Sequence, residues 1–177
     1  MTDVTKNRKR ILFVCLGNIC RSPAAEGVLI DYVRQLGLEG EVEIDSAGTA
    51  SYHIGKRADE RMRNAAGRRG IELESRARLL SPRDLTAYDL IVVMDRENYR
   101  NTVALSSGAM PQNVRMLSDF LGDKWPKEVP DPYYGGEEGF EFVLDMLQAA
   151  MPKLVEFLMP EKAGESKPGR ATGSESE

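Results

Sequence analysis

Ile11-Leu12-Phe13-Val14-Cys15-Leu16-Gly17-Asn18-Ile19-Cys20-Arg21-Ser22-Pro23 is the stretch that decides the fold and points to the chemistry. Its apolar opening reads as a buried strand ending at Cys15, and Pro23 opens a helical pattern. A strand that stops at a cysteine places the sulfur at the carboxyl edge of a sheet, where open α/β sheets hold their ligands. The loop between strand and helix runs into a helix N-terminus, with its unpaired amides and partial positive charge, so a dianionic phosphate is a natural guest. The amides of Leu16, Gly17, Asn18, Ile19, Cys20, Arg21 and Ser22 form the candidate cradle. Arg21 adds a bidentate fork that a lysine could not reproduce. The same field favours a thiolate over a thiol, making Cys15 a candidate nucleophile.

Simpler readings of the stretch exist. A cysteine ending an apolar strand is commonly a small buried hydrophobe, but Gly17, Asn18, Arg21 and Ser22 around it favour the cradle. A nucleotide-triphosphate loop requires Gly-x4-Gly-Lys-Ser/Thr, and no lysine stands at that place. Cys15 and Cys20 are the only cysteines and His53 the only histidine, so a soft four-ligand metal site cannot be assembled. No metal or cofactor is expected.

Outward from the loop, strand and helix patterns alternate. Strands are predicted over Ile11–Cys15, Val42–Ser46, Leu90–Met94 and Val114–Leu117. Helices are predicted over Pro23–Leu36, Asp59–Arg69, a short segment opened by Ser81-Pro82, Arg96–Leu105 and Glu137–Leu158. This order implies a single three-layer α/β domain, with a parallel twisted sheet of about four strands, helices on both faces and right-handed crossovers.

Composition agrees with one domain. A chain of 177 residues with 41% hydrophobic content can bury a sizeable core yet is short for two domains. Lys6-Asn7-Arg8-Lys9-Arg10 before the first apolar run resembles the start of a signal peptide, but that run is too short. No stretch approaches the roughly eighteen apolar residues of a membrane span. Two cysteines suit a reducing compartment, so a cytoplasmic protein is expected, without membrane association and monomeric. The net charge is −4, although nine basic and four acidic residues lie between Lys56 and Arg83. Most of these arginines are expected on a solvated helix face, with steering of anionic substrates as the second reading. Nucleic-acid binding is not expected. The segment from Glu161 onward has no large apolar anchor and reads as disordered.

A phosphoryl group on Cys15 would leave its former oxygen in need of a proton. Asp131, in Val129-Pro130-Asp131-Pro132, is a candidate acid on a stiffened loop; on sequence alone, an ordinary turn residue is the other reading. Asp95, just past the Leu90–Met94 strand, is the second candidate, with a helix cap as its alternative. Ser22 could donate its hydroxyl to the Cys15 sulfur or cap the helix. Asn18 tolerates a left-handed backbone and can tie the loop through its amide. Cys20 could trap an oxidised Cys15 as a reversible disulfide, or be a small core residue.

Val14-Cys15-Leu16-Gly17-Asn18-Ile19-Cys20-Arg21-Ser22-Pro23 resembles the phosphate loop of low-molecular-weight protein tyrosine phosphatases. Asp45-Ser46-Ala47-Gly48-Thr49, Val93-Met94-Asp95 and Asp131-Pro132-Tyr133-Tyr134-Gly135 resemble that family's later landmarks, in order. The likeness covers roughly residues 8 to 159. It implies a hydrolase in signalling that cleaves phosphotyrosine in proteins through a phosphocysteine and releases inorganic phosphate. In that reading Cys15 is the nucleophile, Arg21 the phosphate clamp and Asp131 first the acid, then the base. It also implies supporting roles for Asn18, Ser22 and Ser46. Tyr52, His53, Tyr133 and Tyr134 then line the substrate mouth, with His53 at a specificity-tuning position. Where the family commonly carries a histidine in the supporting network, this chain has Ser75, which puts the rigidity of the loop in question.

The expected division is a flexible arm over 1–9, the catalytic domain over 10–159 and a disordered tail over 160–177. Alternatives on the same fold are an arsenate reductase, a phosphoarginine phosphatase and a non-catalytic phosphate-binding module. No cysteine follows Cys20 to carry a disulfide outward, as a thioredoxin-linked reductase requires. The arginine phosphatases resemble this loop but typically carry Thr where Ile19 stands and lack the paired tyrosines. A mere receptor needs neither nucleophile nor acid.

Overall fold

The computed structural model describes residues 7–163. Four strands, β1 (Lys9–Cys15), β2 (Val42–Gly48), β3 (Leu90–Val93) and β4 (Val114–Met116), form one all-parallel sheet in the order β2-β1-β3-β4. Between and after them run α1 (Arg21–Gln35), α2 (Glu60–Gly67), α3 (Asp84–Ala87), α4 (Arg96–Val103), α5 (Glu137–Leu158) and α6 (Pro160–Ala163). Parallel neighbours need crossovers, which is why helical segments separate the strands.

The central strand β1 shows why the sheet is covered twice. Its side chains alternate across the pleat: Ile11, Phe13 and Cys15 enter one core with α1, α2 and α5, while Leu12 and Val14 enter the other with Leu85, Tyr99 and Val103. All five β1 residues are buried, and each large apolar side chain so placed contributes about 1.5–3 kcal/mol relative to exposure. A strand buried on both faces reads as the continuous apolar run seen in the sequence.

Several limits differ from expectation for local reasons. β2 continues past Ser46 because Ala47 and Gly48 keep pairing with Val14 and Cys15. β1 begins at Lys9, which pairs with Val42, so Lys9 belongs to the sheet and not to an arm. The short third helix starts at Asp84, whose carboxylate accepts from Ser81 N and Oγ in the turn before it. Beyond α5 the chain makes one further helical turn, α6, where a structureless tail was expected to begin. The expected tail over 164–177 and the first six residues of the expected arm lie outside the described residues.

The arginine-rich segment is not a plain solvated face. Arg68 and Arg69 bind Glu141 of α5, and Arg69 also binds Asp145. Arg78 joins Asp45 to Asp84, and Arg61 grips Asp59. These cations tie α2 and the loop before α3 to their neighbours. Among the described residues, no helix is long and apolar enough to cross a membrane.

Candidate active site

The loop from Leu16 to Cys20 joins the carboxyl end of β1 to the N-terminus of α1. The carbonyls of Cys15, Leu16, Ile19 and Cys20 accept from the amides of Thr49, Ala50, Asp59 and Ala24. With its oxygens engaged outside the loop, the geometry leaves the amides for its centre. Asn18 takes a positive φ of 56° at the corner, which an asparagine tolerates, and its N–H donates to the Cys15 sulfur at 3.3 Å. Gly48 lets β2 approach this corner: a Cβ there would lie 2.8 Å from the Leu16 carbonyl oxygen.

A polar network holds the corner from beneath. The Arg78 amide donates to Asn18 Oδ1 at 3.0 Å, which fixes the orientation of the side-chain amide. Asn18 Nδ2 then donates to Ser22 Oγ at 2.7 Å and to Ser46 Oγ at 3.0 Å. Ser22 Oγ lies 3.0 Å from Cys15 Sγ. Ser22 is the second residue of α1, whose N-cap is Cys20 without a side-chain bond, so the capping alternative for Ser22 does not hold. Asn18 and Ser22 thus both touch the Cys15 sulfur, and Ser46 joins the network through Asn18.

Arg21 is buried, with only 3% of its side chain exposed. Its Nη1 donates to Asp95 Oδ2 at 2.6 Å and to the Val129 carbonyl at 3.1 Å, and its Nη2 lies 3.8 Å from Asp131 Oδ2. Burial works against its charge, but Cys15, Asp95 and Asp131 outweigh that and raise its pKa above the ordinary arginine value. Asp95 also caps α4, its Oδ1 accepting from Asn98 N at 2.7 Å. With one oxygen on each task, Asp95 is an orienting anchor for Arg21. The capping role is legible in the local sequence and the second one is not; a carboxylate just past a strand's carboxyl edge, beside a candidate clamp, is the available signal.

Asp131 stands at the open side, 38% exposed, its Oδ1 accepting from Tyr133 N at 3.1 Å. It meets Cys15 and Arg21 in one pocket of about 280 Å³. The expected rim residues are there as well: Tyr52, His53, Tyr133 and Tyr134 line the same pocket. His53 sits between the Tyr52 and Tyr133 rings, 6.3 Å from each centroid, and Tyr133 meets Tyr134 edge-on at 5.0 Å. The His53 ring also packs toward Gly17, where a Cβ would come 2.9 Å from its Cδ2. Arg61, held by Asp59, stacks over Tyr133 at 5.3 Å and over Phe140 at 4.8 Å. Nothing in the local pattern of α2 marked Arg61 as a brace for the rim.

Cys20 lines the pocket too and is a free, buried thiol, as is Cys15. Burial, then Asp59, Cys15 and Asp131, push the Cys20 thiol far up. It is thus held as a thiol. Among the described residues, no group of His, Cys, Asp and Glu is arranged to hold a metal ion.

Residues 10–164 match the family model described as low molecular weight phosphotyrosine protein phosphatase. The chain belongs to that family. A low molecular weight phosphotyrosine protein phosphatase of Schizosaccharomyces pombe is 41% identical over 138 residues, 77% of this chain and 88% of the yeast protein. The crystal structure of a protein tyrosine phosphatase from Entamoeba histolytica, with Hepes in its active site, superposes with a TM-score of 0.83 at 42% identity, covering 87% of this chain and 99% of that one. A Drosophila arginine phosphatase is more distant, with a TM-score of 0.78 at 26% identity over 85% of this chain and 98% of that one. This low molecular weight protein tyrosine phosphatase is a hydrolase of phosphorylated protein substrates, with the four-stranded parallel fold of its relatives.

Proposed function

We propose that this phosphatase works by covalent catalysis with Cys15 as nucleophile, Arg21 as phosphate clamp and Asp131 as proton donor. The observation that carries the proposal is the convergence of the three groups in one pocket, although Asp131 lies 110 residues beyond Arg21 in the chain. Both anchoring bonds of Arg21 use Nη1, which leaves the Nε–Nη2 edge for a bidentate grip on two phosphate oxygens. The loop amides stabilise the charge that develops on the equatorial oxygens during transfer.

In the first step the Cys15 thiolate forms a bond to phosphorus as the bond to the tyrosyl oxygen breaks. Asp131 gives its proton to that leaving oxygen. In the second, a water attacks the phosphocysteine, loses its proton to the now ionised Asp131, and Cys15 departs as a thiolate. The Ser22 hydroxyl and the Asn18 N–H, both aimed at the sulfur, favour the thiolate at the start and at the end. Tyr52, Tyr133 and Tyr134 offer faces on which a substrate ring can stack, and their presence supports an aryl phosphate over the guanidine of phosphoarginine. We further infer a cytoplasmic, monomeric enzyme that needs no cofactor, with 10–159 as its catalytic domain.

The discriminating experiment is a side-by-side assay of the purified protein on phosphotyrosine, phosphoserine and phosphoarginine peptides and on arsenate with a thiol reductant. Phosphotyrosine is expected to be hydrolysed with the highest kcat/KM. A higher value for phosphoarginine, or reduction of arsenate in place of hydrolysis, overturns the reading.

A further inference from the structure

The supporting network does not end at Ser46. Ser46 Oγ lies 3.3 Å from Oε2 of Glu26, on the face of α1 turned away from the active-site pocket. Glu26 is only 8% exposed, and a second cavity, of about 390 Å³, opens onto it beside Ser75. A buried carboxyl group thus joins the cysteine loop on one side and a solvent-sized cavity on the other.

We propose that Glu26 is a positioning residue for the hydrolysis: through Ser46 and Asn18 its carboxyl group sets the hydrogen-bond order that holds the cysteine loop, and the cavity beside Ser75 exchanges its proton with solvent. Arg78 N–H occupies Asn18 Oδ1, so both hydrogens of Asn18 Nδ2 go to serine oxygens. Each serine then has one O–H of its own to place. Ser22 Oγ has the Cys15 sulfur at 3.0 Å and the Ala47 carbonyl at 3.5 Å, and a Cys15 thiolate draws its hydroxyl to the sulfur, while Ser46 directs its hydroxyl to Glu26.

This order is unambiguous only when Glu26 is ionised and can do nothing but accept. A protonated Glu26 carries a hydrogen of its own, which the Asp45 carboxylate and Ser46 Oγ can both accept, and at Ser46 it competes with Asn18. That competition loosens one of the bonds that pin the left-handed corner at Asn18. Because such chains polarise one another, a change of order at Glu26 is felt at the sulfur.

The surroundings put this change within reach of ordinary pH. Burial pushes the Glu26 carboxyl up to about 7; the Ser75 hydroxyl pulls the other way, Asp45 of β2 raises it further, and Ser46 opposes. The remaining charged groups facing the cavity are Glu72 and Glu74 from the segment after α2, and Asp31 and Arg34 from α1 itself. Arg78, the nearby cation on the β2 side, is spent on Asp45 and Asp84. α2 and α5, which also pack on α1, place no charged side chain in the cavity wall.

The inference rests on Cys15 being the nucleophile, and the test separates the two. Steady-state kcat on an aryl phosphate is measured from pH 5.5 to 8.5 for the wild type, Glu26→Gln and, as a control on the same cavity, Glu72→Gln. Plotting the ratio of wild-type to variant kcat cancels the titrations the proteins share. For Glu26→Gln the ratio is expected to rise by about threefold or more between pH 6 and 8, with its midpoint near 7, while for Glu72→Gln it stays flat. A flat ratio for Glu26→Gln overturns the proposal and leaves Glu26 a structural group; so does an equal rise for Glu72→Gln, which would mark a general charge effect. If Glu26→Gln does not fold, Ser46→Ala breaks the same chain and is expected to show the same midpoint, a flat ratio again overturning the proposal. Absence of hydrolysis by the wild type at every pH would instead strike the phosphatase mechanism itself.

Discussion

The two halves of the active site are built by opposite means. The half proposed to hold phosphate, from Cys15 to Ser22, is contiguous in sequence, largely buried, and tied down by carbonyl, serine and asparagine bonds. The half to which we assign the proton donor and the aromatic rim comes from residues 131 to 134 and 52 to 53. It is open to solvent, to the extent that Tyr134 is 91% exposed. A cradle for a transferring phosphoryl group must be preorganised, because its stabilisation comes from fixed dipoles. A rim that admits a side chain on a protein surface, and then releases it, gains from looser attachment. The two meet at Arg21, whose guanidinium is anchored by Asp95 and by the Val129 carbonyl just before the proton donor's loop.

Four changes would break or sharpen this contrast. Asp131→Ala removes the proton from the open half and leaves the cradle intact. Its kcat should fall by roughly 10²–10⁴ on phosphotyrosine but much less on an aryl phosphate with an acidic leaving group, while inhibition by inorganic phosphate persists. Asp95→Asn loosens the joint between the halves. Asparagine still caps a helix well, so stability should change little while kcat/KM drops about tenfold through a less firmly oriented Arg21; steady-state kinetics beside thermal melts separate the two effects.

Tyr134→Ala tests the rim alone. KM for a phosphotyrosine peptide should rise about threefold with kcat nearly constant and a stability change within about 0.5 kcal/mol, as expected at an exposed position. Glu26→Gln touches the buried half from behind. The folded-state pKa of Glu26 is about 7 against an ordinary 4.5, so between these values the folded chain binds the extra proton. Its contribution to stability is complete below pH 4.5 and is lost as pH rises to 7. The melting temperature of Glu26→Gln relative to wild type should therefore increase by roughly 5–10 °C between pH 5 and pH 8.

Legibility in the sequence follows the same division. β1 and α5 could be read because a doubly buried strand is a continuous apolar run and a long helix repeats its apolar face; α5 occupies Glu137–Leu158, as its periodicity indicates. The cradle could be read because its parts are neighbours in the chain. Asp131 and the tyrosines are different: their local sequence says only turn and aromatic, and family likeness supplied the rest. Asp95 showed its cap but not its hold on Arg21, since that contact spans 74 positions. Glu26 showed nothing at all, because a glutamate in a helix is ordinarily solvated, and only packing against β2 and the Ser75 segment buries it. Arg68 and Arg69, just past α2, carried the opposite error, reading as part of a solvated face where α5 supplies their carboxylate partners.

The central claim is that phosphate passes through Cys15. Its most direct test is rapid acid quenching of the enzyme during turnover of a phosphotyrosine peptide, followed by mass spectrometry of the fragment containing residues 11–21. The account predicts a phosphoryl group on the Cys15 sulfur, absent in Cys15→Ser, which should also lose turnover while still binding phosphate. Sustained turnover by Cys15→Ser, or a phosphoryl group found on another residue, would contradict it.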